Sequence, residues 1–282
     1  MRLSQVGERG LLRELEQRGL VTGIADDAAL LDDGLVVTQD ALVEDVHFRL
    51  DWLSWRDLGW RAAAVNLSDL AASGASPEAL IVTLGAPRDT AVADVIELYE
   101  GLAETGVAVR GGDTTGADRV VLSVTALGRS ARVPGRGGAR PGDTLVVTGA
   151  LGAAGAAFRN ESYVRPQLRL DEGRALAEHA RAMLDISDGL AVDAAHIAER
   201  SGVRCVIDLD RVPLAPRADL GDLGFGEDYE LLAAVDREVE HPVIGRCETG
   251  EGVEILLDGE PYKLSGWDHF AASEPADERA GP

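Results

Sequence analysis

Aspartate recurs among small and hydroxyl residues at six places in this chain, and any fold that gathers those places must also supply positive charge. The six are Ile24-Ala25-Asp26-Asp27-Ala28-Ala29, Thr38-Gln39-Asp40, Asn66-Leu67-Ser68-Asp69-Leu70, Gly111-Gly112-Asp113-Thr114-Thr115, Asp185-Ile186-Ser187-Asp188-Gly189 and Gly226-Glu227-Asp228-Tyr229-Glu230. Two like charges ~4 Å apart at an effective dielectric of ~20 cost about 4 kcal/mol, so several carboxylates converge on a phosphate only with divalent ions between them. Small residues let a ligand approach the backbone, while carboxylates and hydroxyls supply the oxygens that Mg²⁺ takes at about 2.0–2.1 Å. The pattern reads as a metal-dependent phosphate site.

The charge inventory narrows this further. The chain of 282 residues carries a formal net charge of −22, and its only lysine is Lys263. A P-loop needs Gly-x-x-x-x-Gly-Lys-[Ser/Thr] and a protein kinase needs a lysine on an early strand, so both are excluded. Nucleotide phosphates would have to be met by arginines, backbone amides and bound cations. The acidic balance argues against nucleic acid and anionic membrane as partners, since both reward positive charge. No stretch approaches the ~20 apolar residues of a membrane span, and Met1-Arg2-Leu3-Ser4-Gln5 lacks the apolar run of a signal peptide, so a cytoplasmic location is expected. Cys205 and Cys247, outside any C-x-x-C arrangement, read as buried thiols.

Strand and helix patterns alternate, which predicts an α/β or α+β fold, and the length fits two domains of about 150 residues. Helices are predicted at 11–19, 55–72, 90–105, 152–158, 171–182 and 190–200. Leu58, Ala62, Val65 and Asp69 recur at three- and four-residue spacing, so Asn66 and Asp69 share a face. Strands are predicted at 35–39, 79–84, 107–110, 120–128, 144–148, 183–186, 203–209, 231–235, 242–245 and 253–257. The Pro/Gly-rich stretch 133–142 resists regular structure and is read as a linker. It divides an N-terminal domain, 1–132, from a C-terminal α/β domain, 143–270. Residues 271–282 have the composition of a flexible tail.

Each constellation also has a bland reading. Asp26-Asp27 could cap a helix, Asp69 could be a solvated helix residue, and Glu227-Asp228-Tyr229-Glu230 could be an exposed acidic turn. Arg129, Arg132, Arg136 and Arg140 could be a solvated linker or could reach a phosphate. His47 and Trp267 stand alone, as packing residues usually do. Gly111-Gly112-Asp113 is more specific: a Gly pair after a strand presents backbone N–H groups as an anion nest. An EF-hand at Asp185 is rejected, because its twelfth position is His196 rather than Glu.

Taken in order, these segments resemble the thiamine-monophosphate kinase family, within the aminoimidazole ribonucleotide synthetase-like superfamily. The blocks that carry the likeness are Val43-Glu44-Asp45-Val46-His47-Phe48, Ala64 to Ala72, Gly111 to Thr115, Asp185 to Leu190, Gly226 to Leu232 and Gly266-Trp267-Asp268-His269-Phe270. The resemblance implies a two-domain α/β (α+β) fold whose N-terminal mixed sheet with helices dimerises. It implies ATP-dependent phosphorylation of thiamine phosphate to thiamine diphosphate in a homodimer, assisted by several Mg²⁺ ions. Carried over by position, Asp27, Thr38, Gln39, Asp40, Asp69, Asp113, Asp185 and Asp188 would hold metal, with Asp27, Asp113 and Asp188 at the chemistry. Gly112, Asp113, Arg129 and Ser187 would contact ATP, and His47, Glu227 and Trp267 the thiamine phosphate. Ala25, Gln39 and Ser73 depart from the family's usual Gly, hydroxyl residue and Met. The acceptor is a phosphate with a second pKa near 6, so in-line transfer needs no general base. The competing expectations are another ATP-dependent enzyme of the superfamily and a noncatalytic Mg-nucleotide sensor.

Overall fold

A computed structural model, which describes residues 2–24, 26–264 and 266, shows two mixed sheets packed on one long buried helix. After an N-terminal helix α1 (Leu3–Gln17), the first sheet is built from β1 (Ala29–Leu30), β2 (Leu35–Val43), β3 (Ser76–Ala86), β4 (Val109–Gly116) and β5 (Val121–Arg129). Its order is β1-β2-β5-β3-β4, antiparallel except for the parallel β3–β4 pair. Alternation along these strands turns Val36, Leu80, Leu122 and Val124 toward α2 (Trp55–Ala72). Ser54 caps α2 by accepting the Asp57 N–H, and α3 (Val92–Ala103) covers its outer side.

The second sheet comprises β6 (Thr144–Val147), β7 (Ala180–Asp185), β8 (Arg204–Asp208), β9 (Leu231–Val235), β10 (Val243–Glu248), β11 (Gly252–Leu257) and β12 (Glu260–Pro261). They are ordered β12-β11-β8-β10-β6-β9-β7, with only β8–β11 parallel. Short helices α4 (Ala153–Arg159) and α5 (Leu170–Ala177) precede β7, and α6 (Leu190–Ser201) follows it. Both faces of this sheet are buried. Leu145, Ala182, Leu184 and Ala234 pack with Leu190, Ala194 and Ile197 of α6. Val146, Met183, Ala233 and Val235 pack with Leu176 of α5 and with Ala71 and Ala72 at the end of α2. The helix α2 therefore belongs to both cores, and a polar residue on it can face either sheet.

Several expectations need correction. Gly111-Gly112-Asp113 is not a turn but the middle of β4, paired with Ile81, Val82 and Thr83. Gly112 takes a φ of +150°, and a Cβ there would lie 1.7 Å from the Val82 carbonyl oxygen, so close strand approach explains the glycine without an anion nest. The helix expected over 171–182 stops at Ala177, and Ala180 to Ala182 already belong to β7, where burial between two layers overrides alanine's helix propensity. The first helix starts at Leu3 rather than Leu11, and the strand expected at 242–245 continues to Glu248. Residues 133–142 form no helix or strand, yet they are tethered: Arg136 N–H donates to Asp26 Oδ1 and the Gly135 carbonyl accepts the Met183 N–H. Ala25, Trp267 and the tail lie outside the described residues.

Candidate active site

Three layers contribute to one carboxylate cluster. From β2 come Thr38 and Asp40, which share the inward face of the strand. From α2 come Ser68 and Asp69, adjacent residues that turn toward different sheets. From the end of β7 comes Asp185, which alternates with Met183 toward α2. The loop before β1 adds Asp27. Carboxylate oxygens of Asp27, Asp69 and Asp185 all lie within 4.8 Å of one another. Neutral donors hold them: Thr38 Oγ1 donates to Asp69 Oδ2 at 2.5 Å, and Ser68 Oγ donates to Asp185 Oδ2 at 2.5 Å. The Asn66 amide oxygen accepts the Asp40 N–H at 3.1 Å and so ties α2 to β2.

Burial dominates the titration of this cluster. Desolvation, reinforced by Asp27 and Asp40, pushes the Asp185 carboxyl up to about 8, although the Ser68 hydroxyl and Arg136 pull it back. Desolvation and the neighbouring Asp185, Asp40 and Asp27 hold Asp69 well above the usual carboxylate range. Asp27 is raised by burial against the opposing pull of Arg136. That arginine meets Asp27 Oδ1 through Nε at 2.9 Å and Nη2 at 2.6 Å, and the Asp27 side chain is only 3% exposed. One guanidinium cannot neutralise all three carboxylates once they ionise, so burial prevails and the shifts run upward. A site made only of carboxylate and hydroxyl oxygens, short of positive charge, fits a hard divalent cation such as Mg²⁺.

The cluster opens into a cavity of about 710 Å³ that is also lined by Asp40, His47, Ser187, Asp188, Arg136 and Glu227. The turn bearing Ser187 and Asp188 is held from below by Asp193, whose Oδ2 accepts the N–H groups of Ser187, Asp188 and Gly189 at 3.0–3.1 Å. Glu227 sits at a φ of +57°, after Gly226 at +82°, where a Cβ would lie 2.1 Å from the Ser187 carbonyl oxygen. Gly226 adopts this conformation freely, Glu227 only at some cost, and together they pack the Glu227 loop against the Ser187 turn. Glu227 also forms an ion pair of 2.5 Å with Arg61, a side chain of α2 that is 6% exposed. His47 Nδ1 accepts the Val43 N–H at 3.0 Å, which leaves the ring proton on Nε2.

Of the residues expected at the site, Asp27, Thr38, Asp40, Asp69, Asp185, Asp188, Ser187, His47 and Glu227 converge. Gln39 also borders the cavity, whereas Gly112, Asp113 and Arg129 do not. The Gln39 side chain points to the opposite face of β2, where it bonds Ser123 and Thr125. Gly112 and Asp113 stand on β4, with β3 and β5 between them and β2. Arg129, at the end of β5, donates to Glu78 and to the Asp33 carbonyl. Trp267 lies outside the described residues. Sequence reasoning named Arg136 only as one of four linker arginines that could reach a phosphate, and it passed over Ser68, Arg61 and Asp193. Ser68 carried a signal, since it sits inside the quoted Asn66-to-Leu70 block, whereas Asp193 carried none.

Comparison with known proteins assigns both halves of the chain to one family. Residues 25–130 match the N-terminal domain of AIR synthase related proteins, and residues 140–256 match the C-terminal domain. The thiamine-monophosphate kinase of Aquifex aeolicus is 33% identical over 96% of this chain and 100% of its own length. That of Mycobacterium tuberculosis (strain CDC 1551 / Oshkosh) is 36% identical over 95% of this chain and 93% of its own. The solved structure of AaThiL complexed with AMPPCP and TMP superposes with a TM-score of 0.85 at 33% identity, covering 95% of this chain and 99% of that one.

Proposed function

This chain belongs to the thiamine-monophosphate kinase family and is a thiamine-phosphate kinase, and from that premise we propose direct in-line transfer from ATP to thiamine phosphate, assisted by several Mg²⁺ ions at the carboxylate cluster. The observation that carries the reading is the meeting of Asp27, Asp69 and Asp185 in a cavity shared with Arg136, His47 and Glu227. When bound, Mg²⁺ offsets the charge of two phosphates that would otherwise repel one another.

The chain's own groups account for the rest. Asp27, Asp69 and Asp185 would hold the ions, with Asp40 and Asp188 completing the donor set. Thr38 and Ser68 orient Asp69 and Asp185 so that ligand oxygens face inward. Arg136 is permanently charged and presents a planar fork suited to a phosphate once metal replaces it on Asp27. Arg136, rather than Arg129, is thus the arginine available at the cluster. His47 Nε2–H can donate to the thiamine phosphate, and Glu227, ion-paired with Arg61, borders the same cavity as a candidate contact for the rest of the substrate. No group need abstract a proton, since the acceptor phosphate is largely dianionic at neutral pH.

Gly112 and Asp113 enter through a second copy of the chain. The face of the first sheet turned away from α2 bears partly exposed Val37, Ile81 and Leu127 beside exposed Ala41 and Thr83, and β4 is exposed along nearly all its length. Such a face favours packing against another copy, which would bring a partner's β4 toward the site. A homodimer is accordingly part of the proposal.

Incubating the protein with ATP, Mg²⁺ and thiamine phosphate and resolving the products by chromatography tests the activity. Stoichiometric ADP and thiamine diphosphate are expected. Nucleotide binding with no thiamine diphosphate formed would reject the reading in favour of a sensor.

A further inference from the structure

Cys205 and Cys247 face each other directly across the ladder between β8 and β10, and both are buried in the core that α6 covers. How near they stand follows from where Cys247 spends its backbone. In an antiparallel strand the N–H and C=O of one residue point to the same side. The Cys247 N–H donates to the Asp143 carbonyl at 2.8 Å, and its own carbonyl accepts the Gly142 N–H at 2.8 Å, both on the side of β6. No backbone group of Cys247 is left for β8, so the two cysteines form a non-hydrogen-bonded pair. At such positions facing side chains approach most closely, with Cα atoms about 4.5 Å apart, inside the range of about 4.4–6.8 Å that a disulfide spans. The thiols already hydrogen-bond to each other, which draws Cys205 down and, together with burial, pushes Cys247 up. One buried cysteine is an ordinary small apolar residue, whereas two in this register are a preformed dithiol.

We propose that Cys205 and Cys247 are a redox-modification site, which a peroxide converts reversibly to an intrachain disulfide that clamps β8 to β10. The Cys205 sulfur attacks one peroxide oxygen: an S–O bond forms, the O–O bond breaks, and the other oxygen leaves as water with the thiol proton. The Cys247 sulfur then attacks the Cys205 sulfur: the S–S bond forms, the S–O bond breaks, and the hydroxyl leaves as a second water with the Cys247 proton. The two thiols lose two electrons and the peroxide gains them. A reducing thiol reverses the bond by exchange. Neither cysteine lines the cavity of the carboxylate cluster, so the inference stands apart from the kinase reading. The clamp acts where Cys247 holds Gly142 and Asp143, the point at which the segment bearing Arg136 joins β6.

The test exposes the reduced full-length protein to hydrogen peroxide, removes the excess, unfolds the chain in an alkylating agent and measures its mass. The expected product is lighter by two hydrogens, carries no alkyl group and yields a Cys205–Cys247 cross-link on digestion; dithiothreitol given before alkylation restores both alkyl groups. The Tm of the oxidised chain should rise by about 5–10 °C, the scale of one disulfide in a chain of this size, and Cys247→Ala should show no rise. Should that variant not fold, the wild-type masses decide alone. Wild type that still takes up two alkyl groups after peroxide, sulfinic or sulfonic acid without a cross-link, or a cross-link between two chains would overturn the proposal.

Discussion

Asp185 and Asp113 sit in quoted blocks of the same chemistry, small residues around a carboxylate, yet the fold treats them in opposite ways. Asp185 ends a strand buried on both faces, receives the Ser68 hydroxyl and shares a cluster with Asp27 and Asp69. Asp113 lies on β4, an exposed strand at the end of its sheet, where its Oδ1 accepts the following Thr114 N–H. The first environment gathers carboxylates from three elements, and the second stands on an exposed strand at a sheet edge. A motif's residues therefore specify ligand chemistry, while burial and strand order decide whether a single copy can use it.

The largest expected effects come from removing one carboxylate in each region. Asp185→Asn and Asp113→Asn should each lower kcat by about 10²–10³-fold, the scale of losing an electrostatic group that acts on the transferring phosphate. Mg²⁺ binding measured by calorimetry in the absence of nucleotide should fall only in Asp185→Asn. A shared site makes a sharper claim: mixing the two inactive variants under conditions that exchange subunits should restore activity, because one mixed site combines an intact cluster with an intact Asp113. Failure of the mixture to recover turnover would confine Asp113 to a structural role.

Next in size is the contrast between arginines. Arg136→Gln should raise the KM for ATP by about 10–100-fold, as expected for a charge-assisted contact of about 1.5–3 kcal/mol. Arg129→Gln should change it little, since its exposed ion pair with Glu78 is worth about 0–1 kcal/mol. Equal effects would erase the distinction drawn between the two positions.

A smaller effect appears in pH dependence. Folding raises the Asp185 carboxyl from an unfolded value of about 3.9 to about 8. In metal-free protein its stabilising contribution is full below the unfolded value and is lost as pH rises through about 8. Mg²⁺ requires the ionised form, so the gain in Tm on replacing EDTA with Mg²⁺ should widen from pH 6 to pH 8 and then level off. Asp185→Asn should flatten that profile, and a Tm gain independent of pH in the wild type would contradict the assignment.

The helix α2 was legible because its apolar spacing and serine cap agree with its burial, and its observed span, Trp55–Ala72, matches the predicted one. Ala180 to Ala182 misled because alanine favours helix locally, whereas a strand between two layers needs small side chains on both faces. Gly111-Gly112-Asp113 misled because a turn and a close strand contact both demand glycine. Convergence of the carboxylates was not readable from spacing, since Asp27, Asp69 and Asp185 meet only through the stacking of two sheets on α2. The resemblance to relatives supplied that convergence. Arg136 could not be told apart from Arg129, Arg132 and Arg140 for the converse reason: a Pro/Gly-rich composition says nothing about which carboxylate its side chain will reach.

The central claim is that Asp27, Asp69 and Asp185 cradle magnesium between two phosphates. A crystal structure grown with Mg²⁺, a non-hydrolysable ATP analogue and thiamine phosphate tests it directly. The account predicts octahedral ions with carboxylate oxygens of those residues at about 2.0–2.1 Å and the Arg136 guanidinium turned onto a phosphate. Ions seated elsewhere, with Asp27 still paired to Arg136 and Asp69 and Asp185 bound only to hydroxyls, would contradict it.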